Sequence, residues 1–135
     1  MKGDDFMRLN PDCIRDILLT VEELVDIRHY LEYRKNEENP IPRLSQYSHD
    51  EISYHINQCK LSGFIIDTHF YDIDKTIVIG DLSPKGHEFL ANIRSNTVWN
   101  NTKSIANKVG SISLDVLIKV STGILTQMIN KQLGY

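Results

Sequence analysis

Two β-rich runs, separated by a short turn, stand between stretches of helical periodicity, and this order restricts the chain more than any other feature. Phe64 to Phe70 and Thr76 to Leu82 are rich in β-branched and aromatic residues and flank Tyr71-Asp72-Ile73-Asp74-Lys75, which predicts a β-hairpin. Before it, Ile14, Ile17, Leu18, Val21, Leu24 and Val25 recur at three- and four-residue steps, the stripe of an amphipathic helix. Asn10-Pro11-Asp12 opens that helix with a capping side chain, a proline suited to the first turn and an acid at the positive end of the dipole. A second helix starts at Ser48, with Glu51 at capping-box spacing, places Ile52, Ile56 and Cys59 on one face, and closes at Leu61-Ser62-Gly63-Phe64. The expected class is α+β: one antiparallel hairpin held among helices.

The remaining segments are less regular. From Ile27, the run Arg28-His29-Tyr30-Leu31-Glu32-Tyr33 alternates roughly as a half-buried strand does. Arg34 to Pro42 is charged and contains Asn39-Pro40-Ile41-Pro42, which forbids helix and reads as a turn or exposed loop. A short extended piece around Arg43 to Tyr47 is expected to return beside the first strand. Ser83-Pro84 begins another helix carrying Phe89, Leu90, Ile93, Val98 and Trp99. The pattern leaves open whether it runs to Val109 or breaks near Ser95-Asn96-Thr97. Gly110 stops it, and Ser113 caps a last helix with Leu114, Leu117, Ile118, Leu125, Met128 and Ile129 on one stripe, widened by Val116, Val120 and Ile124. Gly123, beside Ser121 and Thr122, permits close helix approach. This stripe either covers the first helix and completes the core or mediates self-association.

At 135 residues, with 41% hydrophobic and 24% charged, the chain has the size and composition of one globular domain. The reading divides it into a leader at 1–6, a core at 7–110 and a C-terminal amphipathic helix within 111–135. Cys13 and Cys59 lie inside apolar runs, as reduced thiols do in a cytoplasmic protein. Asp4 and Asp5 stand where a signal peptide needs apolar residues, and no stretch offers 18 uninterrupted apolar residues, so secretion and membrane spanning are not expected. Lys119 and Lys131 give the last helix too weak a cationic face for a membrane surface. The net charge of −3 is uneven: residues 1–83 hold nine Lys/Arg against sixteen Asp/Glu, and residues 84–135 hold six against two.

Helix, strand, helix ending in Gly-Phe-Ile, hairpin, then Leu82-Ser83-Pro84-Lys85-Gly86-His87-Glu88-Phe89-Leu90 resembles the winged helix-turn-helix architecture. More narrowly, Ile14 to Glu23, Tyr47 to Phe64 and Gly86 to Trp99 resemble a family of small phage-associated bacterial proteins, domain of unknown function 2513, over residues 7–135. The resemblance implies a winged-helix-like core with a helical C-terminal extension and brings no activity with it. One departure bears on function: a conventional helix-turn-helix has a supporting helix directly before its recognition helix, and here Pro40, Pro42 and strand-like residues occupy that stretch.

The candidate recognition helix offers Ser53, Tyr54, Asn57, Gln58 and Lys60 as DNA contacts, since Asn and Gln can read adenine in the major groove. Residues 48–75 nevertheless hold Asp50, Glu51, Asp67, Asp72 and Asp74 against two lysines, which disfavours double-stranded DNA unless Lys103, Lys108, Lys119 and Lys131 supply cations. His55 and Cys59 have a workable spacing for two zinc ligands, but no close pair completes a tetrahedral set, so no metal or other cofactor is expected. His87, near the start of its helix, is a candidate hydrogen-bond partner of His55. No phosphate-binding glycine loop, Gly-x-Ser-x-Gly elbow or His-Glu-x-x-His motif is present, and the acids at the hairpin tip read as solvated turn residues. The expected function is a noncatalytic interaction module, protein-binding or self-associating; the alternative is a DNA-binding transcriptional regulator.

Overall fold

The computed structural model describes residues 7–35 and 41–135; the expected leader and the Asn39-Pro40 part of the proline segment lie outside the described residues. Among those residues the chain is α+β. Its helices are α1 Pro11–Leu24, α2 His49–Leu61, α3 Pro84–Ile93, α4 Asn96–Val109 and α5 Leu114–Leu133, and its strands β1 Leu31–Tyr33, β2 Ile65–Tyr71 and β3 Thr76–Leu82. The strands form one antiparallel sheet in the order β1-β3-β2. Packing divides the chain at His87/Glu88, inside α3, into two compact units.

In the first unit, α1 begins where the Asn10 side chain accepts from the N–H groups of Asp12 and Cys13. It buries Cys13, Ile14, Ile17, Leu18 and Val21 against α2, β3 and the segment before α2. Each such aliphatic side chain contributes about 1.5–3 kcal/mol on leaving water. α2 starts at Ser48, whose hydroxyl accepts from Glu51 N–H, and ends in a Schellman turn in which Gly63, at φ 78°, lets Phe64 N–H reach Cys59 O. The capping box is half-formed: the Glu51 carboxylate instead accepts from the Asn10 amide at 3.2 Å.

Two expectations are corrected here. The strand expected from Ile27 is only Leu31–Tyr33, because the Asp26 carboxylate accepts from Arg28 N–H at 2.8 Å and folds residues 26–29 into a tight turn. The Arg43–Tyr47 piece does not pair with β1. Pro42–Leu44 form a 3₁₀ turn, while β3 takes β1's pairing edge, with Leu31 opposite Ile79 and Tyr33 opposite Ile77. The turn is pinned to α1 by Arg43 to Glu23 at 3.0 Å and by the Tyr47 hydroxyl donating to Asp16 at 2.6 Å. Pro42 sets a φ that suits a 3₁₀ start as well as an extended chain, and burial of Leu44 favours the turn.

The hairpin pairs β2 and β3 from Ile65–Leu82 to Tyr71–Thr76. Asp67 adopts a left-handed φ of 51° opposite Gly80, where an added Cβ would lie 2.6 Å from the Asp67 Cβ. That residue breaks the alternation of β2: its buried positions are Ile65 and Thr68, three apart, leaving Ile66 exposed. After β3 the Ser83 hydroxyl donates to Gly63 O, accepts from Gly86 N–H, and so caps α3 on the end of α2.

The open question after Pro84 resolves as a break: α3 ends at Ile93, and the Ser95 hydroxyl caps α4 by accepting from Val98 N–H. In the second unit α4 and α5 pack on each other, α4 burying Val98, Trp99, Thr102 and Ala106 and α5 burying Leu117 and Ser121. Small buried residues on both helices, Ala106 and Ser121, suit a close approach. Gly110, at φ 78°, ends α4 and Ser113 caps α5. No helix among the described residues is long and apolar enough to cross a membrane.

Candidate functional site

α2 presents the residues singled out for DNA contact in two groups. Asn57 and Lys60 are exposed, whereas Ser53, Tyr54 and Gln58 are half-buried. Ser53 lies 3.3 Å from His49 Nε2 through its hydroxyl, the Tyr54 ring meets the His55 ring edge-on, and the Lys60 ammonium sits 5.6 Å over the Phe70 ring. Three of the five are therefore partnered within the fold.

The α2 and hairpin surface is instead apolar and acidic. Leu61 is 72% exposed, Ile73 at the hairpin tip is fully exposed, and Ile66, Phe70 and Tyr71 are also open to solvent. Asp50, Asp67, Asp72 and Asp74 are exposed as well. The sequence carried a signal for this in Asp72-Ile73-Asp74, an isoleucine at a turn where nothing can cover it, but the exposure of Ile66 follows from the left-handed Asp67.

At the start of α2, Tyr33 and His49 stack at 5.6 Å, with the Tyr33 hydroxyl 3.2 Å from His49 Nδ1. Burial, helped by the charge of Lys35, holds the His49 pKa below its ordinary value, so the ring is neutral near neutral pH. His49 and Lys35 line two cavities, one of about 390 Å³ together with Tyr33, Leu44 and Ile52, the other of about 260 Å³ together with Ser53, Lys75 and Thr76. Arg34 beside the larger cavity is paired with Glu32.

His55 is fully buried and both ring nitrogens are committed. Asn10 N–H donates to Nε2 at 2.7 Å, and Nδ1 lies 2.7 Å from Glu51 O. A carbonyl only accepts, so Nδ1 carries the hydrogen and the ring is neutral. The expected pairing of His55 with His87 is thereby corrected: its partners are Asn10 and Glu51, and His87 is exposed. Among the described residues no group of three or more His, Cys, Asp or Glu is placed to hold a metal.

Cys13 and Cys59 are both free and fully buried. Burial, reinforced by the charges of Glu51 and Asp16, pushes the Cys13 thiol up to about 12, and burial likewise raises Cys59. Because only the thiolate attacks, neither thiol should react with an aromatic disulfide reagent in the folded chain at about pH 8, and both should react in denaturant. Rapid labelling of the native protein would contradict this packing.

On the final helix the residues expected to self-associate are likewise divided. Leu117 is fully buried, Leu114, Ile118 and Leu125 are half-buried, and Met128 and Ile129 are 49% and 56% exposed. Leu133, one turn past Ile129, is 65% exposed and was legible from the same four-residue step. An added Cβ at Gly123 would meet nothing among the described residues, so that glycine serves no close approach there.

The sequence profile of the family described as "Hypothetical protein (DUF2513)" matches residues 8–113. The chain belongs to the DUF2513 family. It is also similar to an "Uncharacterized protein" of Haemophilus influenzae (strain ATCC 51907 / DSM 11121 / KW20 / Rd), 31% identical over an alignment of 126 residues that covers 91% of this chain and 99% of that protein. No solved structure matches it. The DUF2513 match spans α1 to α4 and stops at the Ser113 cap of α5.

Proposed function

We propose that this DUF2513 chain is a noncatalytic, phage- or prophage-type interaction module of the bacterial cytoplasm, with a winged-helix-like first unit that binds protein. The order helix, strand, 3₁₀ turn, helix, hairpin supports the winged-helix reading, with the turn at Pro42–Leu44 where a supporting helix would stand. The carrying observation is the surface of α2 and the hairpin. Leu61 at the end of α2 and Phe70, Tyr71 and Ile73 in the hairpin are exposed, and residues 48–75 hold five acids against Lys60 and Lys75. Exposed aromatic and aliphatic side chains are the chemistry of a protein contact.

Magnitudes separate this from the alternative, a DNA-binding regulator displaying Asn57 and Lys60. Two lysines release about two counterions, a salt dependence of about tenfold between about 50 and 200 mM, whereas six to ten phosphate contacts give about 10³ or more. Titration of the protein against fluorescent genomic fragments at low and moderate salt should therefore show no saturable binding. Saturable binding at low salt that Lys60→Glu abolishes would establish the regulator instead. Self-association through α5 is a second part of the proposal.

A further inference from the structure

No further inference is drawn: the strongest candidate, the groove at the hairpin tip walled by Tyr71, Ile73 and Val78 and bordered by Glu32, Asp72 and Asp74, is a cluster of acids on an open apolar face, and nothing in the structure shows what covers it.

Discussion

Gly86→Ala should lower the stability of this protein by about 3 kcal/mol, at the upper end of what overpacking costs. Gly86 lies in the first turn of α3, directly on the backbone of Phe64. A Cβ there would stand 2.0 Å from the Phe64 carbonyl oxygen and 2.9 Å from its carbon. The carbonyl cannot swing aside freely, because it accepts Ser83 N–H at 2.8 Å and the Phe64 side chain is fully buried. Alanine therefore has to push the start of α3 off the junction of α2 and β2. For a chain of this size the loss corresponds to a fall of roughly 10 °C in Tm, read by thermal unfolding. Gly123→Ala is the matched control: nothing lies near its added Cβ, and alanine should gain up to about 1 kcal/mol of helix stability. Equal losses at both positions would refute the steric account.

The second large effect is expected at His55. Its imidazole joins the N-terminal cap of α1 to the first turn of α2 across 45 residues, with a bond of 2.7 Å on each ring nitrogen. His55→Leu fills the space but leaves Asn10 N–H without its acceptor, at a cost of about 1–3 kcal/mol. His55→Gln, which can both accept and donate, should recover part of that loss in urea unfolding. If leucine and glutamine were equally tolerated, the two bonds would contribute nothing to stability and His55 would be a packing residue alone.

Much of the architecture was legible because its signals are local. A capping side chain acts within three residues, so Asn10, Ser48, Ser83 and Ser113 identified helix starts, and Gly63 and Gly110 identified helix ends. The strand expected from Ile27 failed for an equally local reason, the reach of the Asp26 carboxylate to Arg28 N–H, which outweighs the aromatic alternation that follows. The Arg43–Tyr47 piece failed for a distant one, since its partners Asp16 and Glu23 lie a helix away and β1 already pairs with β3.

The candidate surfaces were only partly visible in the same way. Periodicity marked the polar side of α2, yet which of its residues remain open depended on His49, His55 and Phe70 as neighbours. The apolar stripe of α5 was fixed by sequence, but its division into a face buried on α4 and a face left open required the position of α4. By itself, then, the sequence determined where α1, α2, α3 and α5 begin, the hairpin, and the acidic charge of the second helix and hairpin, all of which act within a turn or two of chain. Only the tertiary structure decided that His55 belongs to Asn10, that Gly86 must yield space to Phe64, and that Leu117 is covered while Ile129 is not. Burial and hydrogen bonding between segments tens of residues apart are set by packing, which no local pattern encodes.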